Sequence, residues 1–388
     1  MLNFDNTAIA FAHKSNRALR KAYWLFKLVG NPALVKFGKF AVNVALKLNI
    51  PIGWAMRGNI FEQFCGGETI ADCAQTTQVL DAYNIGTILD YSVEGKESEA
   101  DFERTCDEII RTVETAKGNP NIPFCVFKTT GIGRFALLEK LNANQPLTSE
   151  EQREFFALNG RMERIAKKAF QTGTPVFVDA EESWIQDAID RLTHQLMAKY
   201  NREKAIVFNT VQLYRHDRLA FLTRALADAK ASNYHYGVKL VRGAYMEKER
   251  ERANDKGYPS PIQPDKAATD RDFNAAVDLC LENIAHTAFC AGTHNEESAL
   301  RLANQLHEKG IATNDPRVYF AQLYGMSDHI SFNLSHHHFN VAKYVPYGPI
   351  REVIPYLIRR AEENTSVKGQ TSRELNLIVK EKARRKRA

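Results

Sequence analysis

Eight short apolar runs, each closed by a polar or charged residue, constrain this chain more than any other feature. They are 85–93, 123–129, 175–181, 205–211, 236–242, 286–294, 317–323 and 340–347. Runs of this length, rich in Val, Ile and Phe, suit strands buried on both faces. Long stretches with helical spacing separate most of them. Strands alternating with helices imply right-handed parallel crossovers. Eight such units predict an α/β chain of the (β/α)8 barrel type, whose chemistry gathers at the C-terminal strand ends. Those ends carry Asp90, Lys128, Asp179, Gln212, Arg242, His294, Tyr324 and Tyr347. A purely structural sheet has no need of so many polar ends on one rim.

At 388 residues the chain exceeds a typical barrel of about 250 residues. Most of the surplus precedes the first strand, so the expected organisation is an N-terminal helical extension over 1–84, a barrel over 85–370 and a basic tail over 371–388. The net charge of +6 is unevenly spread: residues 1–61 carry +8 and 380–388 carry +5, which leaves −7 on 62–379. An acidic body with basic ends argues against a nucleic-acid groove and permits contact with an anionic membrane surface. The plain reading of Lys380–Arg387 is a solvated end. None of the six cysteines forms a C-x-x-C pair, and Cys125 and Cys290 fall inside expected strands, so buried reduced thiols are the default. No apolar run is long enough to span a bilayer. A cytoplasmic protein, at most peripheral on the inner face of a membrane, is expected.

Residues 15–57 read as helical, broken near Gly30-Asn31-Pro32. Leu34, Phe37, Ala41, Val44 and Leu48 repeat at helical spacing, beside a stripe of Lys36, Lys39, Asn43 and Lys47. Packing of the apolar stripe on the barrel is the commoner use of such a helix, and membrane-surface contact the rarer one. Helices are expected over 68–83 and 99–117, and another opens near Thr148. The stretch 250–268, with Gly257, Pro259, Pro261 and Pro264, reads as a long rim loop.

Several residues fit chemistry at the rim. Lys128 suits either a cation for an anionic substrate or a Schiff-base nucleophile. Asp179 needs a cationic partner if buried, with Arg359 or Arg360 as the first candidates. Those arginines lie just after the last strand, where guanidinium forks hold carboxylates or phosphates. Their positions differ by about 100° on a helix, so they do not share one face. The run Lys239-Leu240-Val241-Arg242-Gly243-Ala244 suits a phosphate or flavin, with Gly243 letting a ligand approach the backbone. His294 has no metal-ligand partner spacing, and no G-x-G-x-x-G or P-loop follows a strand.

Lys239–Tyr245 (K-L-V-R-G-A-Y) and Tyr356–Ser366 (Y-L-I-R-R-A-E-E-N-T-S) resemble the proline dehydrogenase family, FAD-dependent enzymes that oxidise L-proline. Supporting matches are Asp179-Ala180-Glu181-Glu182, Gln212, Thr293-His294-Asn295, Gln322–Met326 and Tyr344–Gly348. The resemblance covers about residues 85–366 and implies a distorted (β/α)8 TIM barrel. It implies that Arg359 and Arg360 grip the proline carboxylate, that Lys128 adds a cation, and that Leu323 and Tyr344 wall the proline ring. It implies that Asp179 pairs with an arginine and orders the site. Ala180, Gln212, Lys239, Val241, Arg242, Gly243, Ala244, Thr293, His294 and Glu363 correspond to flavin-contacting positions.

Two positions depart from some members of the family: Lys239 stands where they have Arg, and Met246 where they have Trp. The implied reaction converts L-proline to Δ1-pyrroline-5-carboxylate, the first step of proline catabolism, with electrons passing to a quinone. The alternatives are hydroxyproline dehydrogenase and a lyase using Lys128 as a Schiff-base nucleophile. Tyr344 would crowd a hydroxyl at C4, which favours proline.

Overall fold

A computed structural model of the chain describes residues 2–48, 60–93, 97–366 and 370–387. Eight parallel strands close into a barrel in chain order. They are β1 Ile85–Tyr91, β2 Phe124–Lys128, β3 Val176–Asp179, β4 Val207–Gln212, β5 Tyr236–Val241, β6 Thr287–Gly292, β7 Val318–Leu323 and β8 Val341–Tyr347. Seven lie inside an expected run, and β4 runs one residue past its own, to Gln212. The strands stop slightly early, so Glu181, Arg242, Thr293 and His294 stand just beyond them rather than within them.

The chain divides into two compact units, 95–321 and 1–94 with 322–388. In the first, the strand period of two sorts side chains between inner and outer faces. Phe124, Phe177, Phe208 and Tyr319 stand at or near the starts of β2, β3, β4 and β7. Their rings meet, with Phe124 stacked on Phe177 at 4.5 Å and Tyr319 edge-on to Phe124 at 4.8 Å. Even-numbered steps along the same strands lead to Lys128, Asp179 and Gln212. An aromatic floor therefore underlies a polar layer at the C-terminal ends.

The segment 250–268 is not one long loop. A helix spans Met246–Lys256, a second begins at Lys266, and only 257–265 connects them. The first helix is almost devoid of apolar residues, so it leaves no periodic stripe to read. Polar anchors hold it instead. Glu249 is fully buried and accepts hydrogen bonds from Ser183 N and Oγ, both at 2.6 Å. Arg252 lies over the Trp184 ring at 4.4 Å. Gly257, in the left-handed region, ends the helix.

In the second unit, β1 and β8 pair in register from Ile85↔Val341 to Tyr91↔Tyr347. The helix Ile70–Asp81 starts at Thr69, which forms a capping box with Asp72. The N-terminal stretch forms helices over Asn16–Val29 and Pro32–Lys47, split at the expected place, while 49–57 lies outside the described residues. Three residues of its apolar stripe are exposed, Leu34 at 47%, Phe37 at 70% and Leu48 at 66%. Packing of that stripe against the barrel is corrected accordingly.

The basic C-terminal segment is not a solvated end. It forms the helix Gln370–Arg387, whose Leu377 and Ile378 pack with Phe11, Leu19 and Phe26. Glu381 is buried and accepts from Arg384 and Arg385, and Arg385 also donates to the carbonyls of Phe11 and Lys14 at 2.8 Å. No described helix is long and apolar enough to cross a membrane.

Candidate active site

In the unit 95–321, β2 and β3 pair so that Lys128 stands directly beside Asp179. Lys128 Nζ is 3.8 Å from Asp179 Oδ2. From β5, Lys239 donates to Asp179 Oδ1 and lies over the Phe177 ring at 5.1 Å. Alternate strands of a barrel contribute to one interior layer, which is why β3 and β5 meet here. Asp179 and Lys239 are both buried. The cations beside Asp179 thus include two lysines, whereas the sequence pointed to an arginine. A carboxylate shared by two ammonium groups on an apolar floor is a strong, fixed electrostatic feature.

Beyond β5 the chain turns outward through Arg242. Its guanidinium donates to Asp270 Oδ1 at 2.7 Å, Thr293 Oγ1 at 2.6 Å and Ser298 Oγ at 2.9 Å. It also lies over the Phe273 ring at 4.4 Å. Burial pulls its pKa below the usual guanidinium range, against the pull of Asp270. Thr293 is fixed in turn by its own N–H, which donates to Ala321 O at 3.0 Å.

Gly243 has φ +141, and a Cβ there would meet the Tyr214 ring at 2.4 Å. The glycine is required by Tyr214 beneath it as well as by its backbone conformation. Gly243 and Ala244 are exposed, and Val241 is half-buried. Gln212 closes β4 and donates from Nε2 to Glu181 O at 2.7 Å. Ala180 and His294 are half-buried on the same set of strand ends. Met246, where some relatives place Trp, is 41% exposed.

The remaining expected residues belong to the other unit. Leu323 ends β7 and packs, partly buried, against the apolar cluster that includes Phe61, Phe64, Met326, Ile350 and Tyr356. Tyr344 lies buried in β8, and its carbonyl accepts from Tyr324 N at 2.9 Å. Arg359 and Arg360 lie on the helix Ile350–Ser366, Arg359 half-buried and Arg360 buried with its guanidinium 5.1 Å from the Tyr356 ring. The Glu363 side chain lies outside what the structure describes.

Several participants escaped the sequence reading. Asp270, Ser298 and Phe273 hold Arg242, yet no spacing links them to it. Glu181, quoted only within a motif, is buried and accepts from Thr130 N at 3.0 Å and from Thr130 Oγ1. Burial pushes its carboxyl up to about 7.

Fold and rim chemistry together define an enzyme of the (β/α)8 barrel class, with a cationic, carboxylate-braced centre at the C-terminal strand ends. Comparison with known proteins narrows this. The profile of the family described as proline dehydrogenase matches residues 73–373. Mitochondrial proline dehydrogenase 1 of Dictyostelium discoideum is 32% identical over 426 residues, covering 98% of this chain and 74% of its own length. Hydroxyproline dehydrogenase of Xenopus laevis is 30% identical over 421 residues, covering 99% of this chain and 90% of its own length. Among solved structures, proline utilization A of Bdellovibrio bacteriovorus inactivated by N-propargylglycine matches with TM-score 0.72 at 18% identity. That match covers 93% of this chain and 38% of the solved one, and at such identity it speaks for the fold.

The chain belongs to the proline dehydrogenase family, an oxidoreductase family of flavoenzymes. The residues present fit a flavin. Gly243 and Ala244 expose main chain with little side chain, a braced guanidinium stands at Arg242, and Lys239 brings a fixed cation up to the rim.

Proposed function

We propose that this chain oxidises L-proline to Δ1-pyrroline-5-carboxylate with FAD and passes the electrons to a quinone. The observation that carries the reading is the Lys128–Asp179–Lys239 layer, with Asp179 and Lys239 buried, at strand ends followed after β5 by the exposed Gly243-Ala244 segment. The barrel, about 85–370, is the proposed catalytic domain. When bound, FAD supplies the hydride acceptor.

The protein's part is orientation and charge. Arg359 and Arg360 hold the proline carboxylate, and Lys128 adds a third cation. Leu323 and Tyr344 wall the ring. Asp179 fixes Lys239, whose charge favours electron density arriving at the cofactor. Ala180, Gln212, Val241, Arg242, Gly243, Ala244, Thr293 and His294 hold the flavin, with Glu363 beside it. A hydride equivalent leaves proline C5, the amine N–H proton is released, and the ring is left with a C=N bond. The family relationship and the phenol of Tyr344 favour proline over 4-hydroxyproline.

An anaerobic absorbance spectrum with added FAD tests the reading. A flavin spectrum that bleaches with L-proline, and far less with hydroxyproline, is expected. Bound flavin that never bleaches removes the substrate assignment, and folded protein that binds no flavin removes the whole reading.

A quinone acceptor places the working enzyme at a membrane surface. The N-terminal helices support peripheral docking there: Trp24, Leu28, Phe37 and Phe40 are exposed beside Lys27, Lys36 and Lys39. Lys27 Nζ sits 5.1 Å from the Trp24 ring. Aromatic anchors with basic neighbours suit an anionic bilayer. Flotation with phosphatidylserine-containing vesicles should fail for the combined Trp24→Glu, Phe37→Glu and Phe40→Glu variant. Equal flotation of the two proteins would reject docking through this face.

A further inference from the structure

The turn Leu323–Asp328, which leads from β7 into the helix Asp328–His336, is held from several directions by parts of the chain remote in sequence. Its backbone is strained. Gly325 has φ +76 and Ser327, which is fully buried, has φ +50. A non-glycine residue in that region persists only where its surroundings over-determine it.

The anchors are specific. Gln63 Nε2 donates to Gly325 O at 2.7 Å, and a Cβ at Gly325 would meet the Gln63 carbonyl oxygen at 1.9 Å. The Ser327 N–H donates to Glu374 Oε1 on the C-terminal helix Gln370–Arg387. Lys343 of β8 is 1% exposed, and its Nζ donates to Met326 O at 2.5 Å and pairs with Asp328 Oδ1 at 3.0 Å.

The other carboxylate oxygen, Asp328 Oδ2, faces Lys14 Nζ at 3.2 Å and His13 Nε2 at 3.4 Å. Burial alone would raise the Asp328 carboxyl. The fields of Lys14 and Lys343 outweigh it and hold that carboxyl well below its usual range. Burial lowers the His13 imidazole and the Lys343 ammonium and raises the Glu374 carboxyl. A buried lysine, a buried aspartate and a second lysine from the N-terminal segment make one connected unit.

This unit brackets two residues that matter. Leu323 opens the turn, and Lys343 immediately precedes Tyr344. Successive strand residues point to opposite faces, so Lys343, which grips the turn, and Tyr344 lie on opposite faces of β8. The Tyr324 N–H donates to Tyr344 O at 2.9 Å, tying the turn to the strand.

We infer that Lys14 and Glu374, contributed by the two terminal segments, are positioning residues for the substrate wall. Acting through Asp328, Ser327 and Lys343, they hold Leu323 and Tyr344 at the spacing that fits an unsubstituted five-membered ring. Neither touches substrate. The inference rests on the proposed role of Leu323 and Tyr344 as ring walls.

The test uses the full chain with FAD bound and the variants Lys14→Met, Lys14→Arg, Glu374→Gln and Tyr344→Ser, with Lys199→Met as an exposed control. Two quantities are read: amide hydrogen exchange over 323–328, and KM and kcat for L-proline. Lys14→Met should speed exchange in the turn and raise KM on the order of tenfold at unchanged kcat. Lys14→Arg should restore both, and Lys199→Met should change neither. If Lys14→Met does not fold, Glu374→Gln, which keeps the side-chain shape, carries the same expectation.

Unchanged exchange in the turn would overturn the inference. Faster exchange with unchanged KM would overturn it too, provided that Tyr344→Ser does raise KM. If Tyr344→Ser also leaves KM unchanged, the wall assignment is what has failed. A fall in kcat and thermal stability with KM constant would reduce Lys14 to a structural residue and overturn the inference.

Discussion

Replacing Asp179 by asparagine keeps the shape of the side chain and removes its charge. The loss is concentrated because Asp179 and Lys239 are buried and Lys128 is only 3.8 Å from the carboxylate. Without that charge, two ammonium groups are left beside a neutral amide. At an effective dielectric of about 20, the Lys128–Asp179 attraction lost at 3.8 Å is about 4 kcal/mol. Breaking a buried pair by removing one partner typically costs about 3–5 kcal/mol, which agrees. The melting temperature should then fall by about 5–10 °C, as followed by circular dichroism. Proline-driven flavin bleaching should fall with it even below the transition. The paired replacement Asp179→Leu with Lys239→Met removes both charges and should recover most of the stability but none of the activity. A cost below about 1 kcal/mol for Asp179→Asn would show that the layer is solvated, as exposed pairs are, and would refute the argument.

Further outcomes follow from other sites. The Glu181 carboxyl is raised from 4.5 to about 7 by burial, so the folded state holds its proton more tightly than the unfolded state. Its contribution is fully present below pH 4.5 and is lost as pH rises to about 7, a fall of up to about 3 kcal/mol. Glu181→Gln should remove that slope and be the more stable protein at pH 8; denaturant titrations with the same slope for both proteins would count against it. Gly243→Ala combines φ +141 with a ring contact at 2.4 Å and should cost about 1–3 kcal/mol along with flavin retention, measured as flavin-to-protein absorbance after gel filtration. Arg242→Lys keeps the charge but cannot reach Asp270, Thr293 and Ser298 together, so flavin should dissociate more readily in dilution experiments than from the wild type.

The barrel was legible because strands buried on both faces leave continuous apolar runs, and all eight survive in the structure. Lys128, Asp179 and Gln212 could be placed on the rim from strand period and position alone. What remained hidden depends on contacts between distant segments. The helix Met246–Lys256 has no apolar stripe because Glu249 and Arg252 anchor it, so it read as loop. The helix Gln370–Arg387 was masked by its basic end, although Glu374, Leu377, Ile378 and Glu381 form a buried stripe at helical spacing. Asp179 was assigned an arginine because two were near the last strand. Lysines on β2 and β5 stand beside it, which follows from barrel layering rather than from any motif.

The packed rings of Phe124, Phe177, Phe208 and Tyr319 have a consequence for the field around Lys239. They give Lys239 an apolar aromatic floor, met through the Phe177 ring, while its strand leads on to the C-terminal rim. The field of its ammonium is screened weakly toward the rings and more strongly toward solvent. Whatever covers the strand ends and excludes water there would therefore strengthen the pull of this one charge on any electron-rich group held above it.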